Sequence, residues 1–218
     1  MIKSKLISKA IFTDKSISTL NELVDYTGIE SFAFMEQTHS NIVVNASKAG
    51  IFKSDGLLTY KSNFGLLVST ADCMPILLKD NKKIGAVHSG WRGLKNKILE
   101  KTIQSFELNS LLISVGPHAQ LCCYEVKNDV SKYFESYTEK RDGKTYLSLS
   151  ESLKELSKRC GFRIEVSSIC TICDSSYNSF RKNIFERLPK PKSGKWISCL
   201  LYTSDAADDS LRVDLGGR

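Results

Sequence analysis

Three side chains far apart in a 218-residue chain sit where a metal or nucleophile chemistry could use them. His39 lies in Gln37-Thr38-His39-Ser40. Cys73 lies in Thr70-Ala71-Asp72-Cys73-Met74-Pro75, between two apolar runs, and His88 lies in Ala86-Val87-His88-Ser89-Gly90-Trp91-Arg92-Gly93. Each is bordered by small or turn-forming residues, as at the strand ends where polar side chains of layered α/β folds converge into crevices. Two imidazoles and one thiolate suit zinc, because three protein ligands leave the fourth tetrahedral position for water or substrate. Zinc brings the pKa of such a water to about 7, which gives a nucleophile at neutral pH. The separations, 34 residues and then 15, match no short zinc signature. On spacing alone, a metal site and a set of buried, hydrogen-bonded polar side chains both remain open. A metal-free reading is also open, with Cys73 as thiolate nucleophile, His88 as its base and a polar neighbour orienting the pair, as in amidases.

The neighbouring residues carry their own alternatives. Asp72, beside Cys73, is a partner that orients a ligand, a proton donor to a leaving group, or a plain turn aspartate. Arg92 follows Gly90 and Trp91 near a helix start, where free backbone N–H groups and the helix dipole favour an anion; otherwise it is a surface arginine. Gln37 can orient a ligand or contact a substrate base, and Trp91 reads as core. Cys170-Thr171-Ile172-Cys173 is a CxxC pair, which reads as two unrelated thiols because the adjacent Cys122 and Cys123 make a poor second pair.

The elements that must position these residues are readable from hydrophobic period. Ser18 to Tyr26 reads as a helix capped by Ser18 and stopped at Gly28. Leu94 to Phe106 carries a helical stripe of Leu94, Ile98, Leu99, Ile103 and Phe106. Ser148 to Arg159 is a further helix, with Ser148/Glu151 or Ser152/Glu155 as a capping box and Gly161 as its stop. Strands are expected at Ser31 to Met35 with Asn41 to Val44 as its continuation, then Phe64 to Ser69, Met74 to Leu78, Lys83 to Val87, Leu111 to Val115, Ile164 to Ser168 and Trp196 to Leu200. Strands alternating with helices predict an α/β fold, a single layered domain with a mixed central sheet and helices on its faces.

Composition bounds the rest. An apolar fraction of 41% and a charged fraction of 25% are those of an ordinary globular protein. No apolar run is long enough for a membrane span, and the N-terminus is too interrupted for a signal peptide, so a cytoplasmic location is expected. Seven cysteines without an export signal point to free thiols rather than a disulfide framework. The net charge of +7 is dispersed, without dense basic blocks or interleaved aromatics, so no nucleic-acid partner is expected; a basic surface favours anions such as phosphate. Residues 1–200 are read as one catalytic domain. The stretch Leu201 to Arg218 has no apolar period and looks like translated adapter read-through, so it is set aside as non-native. Oligomeric state is not legible.

The segments Gln37-Thr38-His39-Ser40, Asp55-Gly56-Leu57, Thr70-Ala71-Asp72-Cys73-Met74-Pro75, Ala86-Val87-His88-Ser89-Gly90-Trp91-Arg92-Gly93 and Gly116-Pro117 with Cys123-Tyr124-Glu125-Val126 follow one another in the order of the laccase-domain (YfiH-like) purine nucleoside phosphorylase family, and over roughly residues 31–200 the chain resembles it. The resemblance implies zinc on His39, Cys73 and His88. It implies phosphorolysis of purine nucleosides, methylthioadenosine included, with adenosine deamination as a second activity; purine nucleosides and phosphate would be the small-molecule partners. Members have also been labelled polyphenol oxidases and peptidoglycan-editing factors. A multicopper oxidase would need many more histidines than the three present. Tyr177 to Arg181 resembles the family's F-x-S-x-R element, which implies that Arg181 approaches the substrate. His118, after Gly116-Pro117, stands where members usually carry a smaller residue and is read as a variation near the substrate pocket. The family's Arg-Gly-Gly-Val-Ser stretch has no counterpart, since Ile11 to Ser18 holds neither arginine nor glycine; a phosphate-binding group must come from elsewhere. The rivals are the metal-free Cys-His hydrolase or amidase, including peptidoglycan-precursor editing, and a non-catalytic nucleotide-binding or redox-responsive module.

Overall fold

Apolar runs buried on both faces form the inner strands of two mixed six-stranded sheets, and shorter, more exposed strands form their edges. The computed structural model describes residues 1–17, 19–185 and 199–202. Numbered in chain order, the first sheet runs β1 (Ile2–Lys3), β2 (Ala10–Phe12), β15 (Cys199–Tyr202), β7 (Gly65–Val68), β3 (Phe32–Met35), β5 (Gly50–Phe52). The second runs β14 (Arg163–Val166), β10 (Leu112–Val115), β8 (Met74–Lys79), β9 (Ile84–Ser89), β6 (Gly56–Thr59), β4 (Val43–Asn45). A small antiparallel sheet of β11 (Glu125–Val126), β13 (Lys144–Leu147) and β12 (Thr138–Arg141) completes the set.

The period-2 alternation of strand side chains builds the layers. Along β8, Met74, Ile76 and Leu78 point to one apolar cluster and Leu77 to another. Leu77, Ile84 and Ala86 of the second sheet meet Phe12, Ala33, Leu66 and Val68 of the first, so one core lies between the sheets. The outer face of the second sheet is covered by α3 (Ile98–Ile103) and α5 (Glu151–Cys160), through Ile98, Leu99, Ile103, Leu153 and Leu156. Leu23 of α1 (Leu20–Thr27) packs on Ile11, Phe32 and Leu67 at the outer face of the first. The expected α/β class, with mixed sheets and helices on their faces, is what forms; the strands divide between two sheets instead of lying in one.

Several local expectations change. Val43–Asn45 is not a continuation of the Phe32–Met35 strand: the two lie in different sheets, and the chain between them crosses from one to the other. The predicted Leu94 to Phe106 helix breaks into α2 (Trp91–Lys95) and α3, because Lys97 takes a left-handed backbone at φ 55°. Thr19 caps α1, with its hydroxyl accepting from the Glu22 N–H and the Glu22 carboxylate accepting from the Thr19 N–H; Ser18, expected as the cap, lies outside the described residues. Gly28 and Gly161 end their helices in the left-handed conformation, as anticipated. Neither expected capping box opens α5, whose first flanking residue is Ser150, without a side-chain cap bond. Of the strand predicted at Trp196 to Leu200, residues 196–198 lie outside the described ones. The observed strand, Cys199–Tyr202, includes two residues of the segment set aside as non-native.

Candidate active site

The antiparallel β8–β9 pair brings two of the three predicted residues together. Pro75 faces His88 and Met74 faces Ser89, so Cys73, one residue before β8, stands beside Gly90, one residue after β9. A methyl group on Gly90 would lie 2.5 Å from the Cys73 Sγ; only glycine leaves room for the thiol there. His39 arrives on the loop that crosses between the sheets, in a left-handed conformation at φ 59°. One ring nitrogen each of His39 and His88 and the Cys73 sulfur all lie within 4.8 Å of one another, and the two rings meet edge to face with centroids 4.8 Å apart.

Asp55, just ahead of β6 and fully buried, organises this convergence. Its carboxylate accepts from the backbone N–H groups of Thr38, His39 and Ser40 at 3.1, 3.1 and 2.6 Å and from the Ser40 hydroxyl at 2.7 Å. It also holds the His88 Nδ1 at 2.8 Å, while its main-chain oxygen accepts the His88 N–H. One side chain thus fixes both the loop that carries His39 and the ring of His88. Burial opposes its ionisation, but the bonds to His88 and Ser40 prevail and hold the carboxyl well below the usual carboxylate range. With Nδ1–H donated to Asp55, the Nε2 of His88 is the nitrogen left to face the thiol and any ion. In the sequence Asp55 opens the Asp55-Gly56-Leu57 segment, and an Asp-Gly step reads as a turn until the fold shows what the carboxylate receives.

The electrostatics follow from the grouping. Burial pushes the Cys73 thiol up, but hydrogen bonds from His39 and His88 and their charge bring it down from 9.0 to about 7. Burial pushes His88 down, but Asp55 and Cys73 outweigh it and raise it from 6.5 to about 9. The grouping therefore favours a thiolate, as a metal ligand or a nucleophile requires.

A cavity of about 890 Å³ opens over His39, Cys73 and His88, lined also by Gln37, Asp72, Arg92 and Arg181. Gln37 presents its amide to the Ser69 backbone in both senses, donating to the carbonyl at 2.7 Å and accepting from the N–H at 2.9 Å, so it fastens one wall to another. Asp72, at φ 85°, accepts from the Thr171 hydroxyl and from the Arg181 N–H, each at 2.8 Å. Both its oxygens are committed as acceptors, which suits positioning. Arg92 is exposed at the start of α2 and lies over the Trp91 ring, 4.4 Å from its centroid. Arg181 opens α6 (Phe180–Phe185), its guanidinium bonded to the Glu125 carbonyl and stacked over Tyr124. Met35, Ile51, Trp91, Tyr124 and Phe180 give the cavity apolar walls, so Trp91 borders the pocket as well as the core. His118 does not line it: the ring is fully buried, its Nδ1 bonded to the Gly116 carbonyl at 2.8 Å. No helix among the described residues is long and apolar enough to cross a membrane.

The chain is similar to several known proteins. The model of the multi-copper polyphenol oxidoreductase laccase family matches residues 15–201. A purine nucleoside phosphorylase of Clostridium acetobutylicum is 32% identical over 191 residues, 78% of each chain. One from Aquifex aeolicus is 32% identical over 164 residues, 72% of this chain and 80% of its own. Among solved structures, a Neisseria meningitidis protein of the DUF152 family superposes with a TM-score of 0.71 at 25% identity, over 84% of this chain and 79% of that one. The Bacillus licheniformis protein YfiH does so at 0.69 and 23%, over 82% and 76%.

Proposed function

The chain belongs to the multi-copper polyphenol oxidoreductase laccase family, and from that premise we propose that it is a zinc-dependent purine nucleoside phosphorylase that also cleaves methylthioadenosine and deaminates adenosine. The carrying observation is the meeting of His39, Cys73 and His88 within 4.8 Å at the floor of a cavity large enough for a nucleoside and phosphate. The donor set fits zinc in number and chemistry: two nitrogens and a thiolate, a tautomer fixed by Asp55, and a thiol space kept open by Gly90. With three histidines in the whole chain, a multicopper cluster lacks ligands despite the family's description.

Bound there, zinc would supply Lewis-acid polarisation at neutral pH. The apolar walls receive the purine face. Arg92 and Arg181 supply cations for phosphate, in place of the arginine that the N-terminal stretch lacks. Asp72 positions the Arg181 backbone and is itself held by the Thr171 hydroxyl. The test is chromatography of products from purified protein and adenosine, with and without phosphate. Free adenine that requires phosphate reports phosphorolysis, and inosine reports deamination. His88→Ala should abolish both, and no conversion of adenosine, inosine or methylthioadenosine by the zinc-loaded protein would sink the reading.

One observation favours a second reading. Asp55, His88 and Cys73 are linked in series, the order of base-orienting acid, base and nucleophile. A metal-free Cys-His hydrolase or amidase, peptidoglycan-precursor editing included, would use them so. Full activity in chelator with complete loss on thiol alkylation would establish it; loss in chelator restored by zinc supports the first.

A further inference from the structure

The four remaining cysteines of interest gather at a second place. Cys122, Cys123, Cys170 and Cys173 have sulfurs that all lie within 4.8 Å of one another, with Cys122 and Cys123 at 3.7 and 3.0 Å from Cys173. Adjacent cysteines in extended backbone point apart. Here the chain turns tightly, with the N–H groups of Cys123 and Tyr124 both donating to the Gln120 carbonyl, and the two thiols are delivered to one side. The partner loop is locked alongside: the His118 N–H donates to the Ile169 carbonyl, and the Thr171 N–H to that of His118. The site is therefore assembled from two loops about 50 residues apart in the chain.

We propose that Cys122, Cys123, Cys170 and Cys173 form a second, structural zinc site, a closed tetrathiolate that fastens the 118–124 loop to the 170–174 loop. A tetrahedron with zinc–sulfur bonds of about 2.3 Å has sulfurs about 3.8 Å apart; the Cys122–Cys173 separation of 3.7 Å matches that edge, and Cys123 and Cys173 stand closer, at 3.0 Å. A multi-iron cluster, with its own irons and sulfides between the thiolates, needs a wider cage. Backbone N–H groups are aimed at the sulfur of Cys170, from Gln120 at 3.5 Å and from Ile172 and Cys173, as a thiolate ligand requires. The Arg141 guanidinium donates to the carbonyls of Leu121 and Cys122 and brings positive charge to an anionic site.

The consequence reaches the cavity without touching its chemistry. Thr171, next to Cys170, bonds Asp72; the Ala119 N–H donates to the Asp72 carbonyl; Tyr124, next to Cys123, lines the wall. The ion braces the part of the pocket wall that Asp72 and Tyr124 form. The inference stands whether or not the proposed activity does.

Metal-to-protein ratios measured by plasma mass spectrometry test it. Protein made with zinc under reducing conditions should carry two zinc ions per chain, falling to one in Cys170→Ser/Cys173→Ser and to one in His39→Ala/His88→Ala. Because the serine variant removes a brace and can fail to fold, the His39→Ala/His88→Ala protein is also stripped and titrated with cobalt(II). One equivalent with intense thiolate-to-metal charge-transfer absorption, displaced by zinc, is expected. Absence of that absorption, or a wild-type ratio of one that the cysteine changes leave intact, overturns the proposal. So does a Cys123–Cys173 disulfide in metal-free protein from cells, found by non-reducing peptide mapping.

Discussion

Asp55 receives five hydrogen bonds on two oxygens, from three backbone amides, a hydroxyl and an imidazole, at a position closed to solvent. Asp55→Asn keeps the shape but presents an NH₂ to donors that need acceptors and removes the charge that steadies His88. Outer partners of metal-binding histidines typically change affinity by about 10–100-fold. We expect Asp55→Asn to lower zinc affinity within that range, read by competition with a chromophoric chelator; an unchanged affinity would detach Asp55 from the metal. That His39, Cys73 and His88 meet in space was foreshadowed by the resemblance of their three segments to one family's signatures; their spacing alone, which matches no short zinc motif, left a metal site and buried polar side chains equally open. The role of Asp55 was not foreshadowed, because nothing in an Asp-Gly step tells which amides will point at it. The four-thiol group was hidden for a related reason: adjacency made Cys122 and Cys123 look incompatible with one ion, and only the turn at Gln120 makes them converge. His118 was expected near the pocket from its place in the chain, yet its ring turns into the protein.

At the scale of elements, hydrophobic period identified most of the buried strands and the amphipathic helices, but missed the buried β6, which the Asp55-Gly56 turn signal masks, and the short pieces. β11, β12 and β13 are too short and too polar to announce themselves, and β1 and β2 are short pieces at either end of the lysine-containing stretch from Ile2 to Phe12. The break between α2 and α3 escaped notice because a continuous apolar stripe runs through it and the interruption is conformational. Lys97 is exposed, adopts φ 55°, and its N–H still donates to the Leu94 carbonyl at 3.0 Å. A left-handed backbone costs a side-chain-bearing residue about 1–2 kcal/mol, while glycine's greater freedom in the unfolded chain takes back part of the difference. Lys97→Gly should therefore stabilise the protein by about 0.5–1 kcal/mol, seen as a higher urea midpoint at constant slope. A lower midpoint would mean that the lysine side chain contributes something the backbone argument omits.

Over the whole molecule, two sheets face each other with helices outside, and the layer order follows from which side of each strand is apolar. That the strands part into two sheets was not legible, since a strand buried on both faces reads alike in either arrangement. Buried just beyond the end of β10, His118 is held neutral: burial pulls its pKa from 6.5 to about 4, against the bond to Gly116. The unfolded chain then binds the extra proton first, so the contribution is complete above pH 6.5 and is lost as pH falls through 4. At about 1.4 kcal/mol per pKa unit the loss is on the order of 3 kcal/mol. The fall in stability between pH 6.5 and 4 should be shallower in His118→Gln than in the parent, by urea denaturation at each pH, and equal slopes would refute the assignment. One feature of the first sheet bears on how the protein is made. β15 lies in its interior, antiparallel to both β2 and β7, although almost the entire polypeptide separates it from β2. On the ribosome, the early strands must wait with two unsatisfied edges until synthesis has passed residue 202, and a nascent chain interrupted before Cys199 exposes those edges to any other strand it meets.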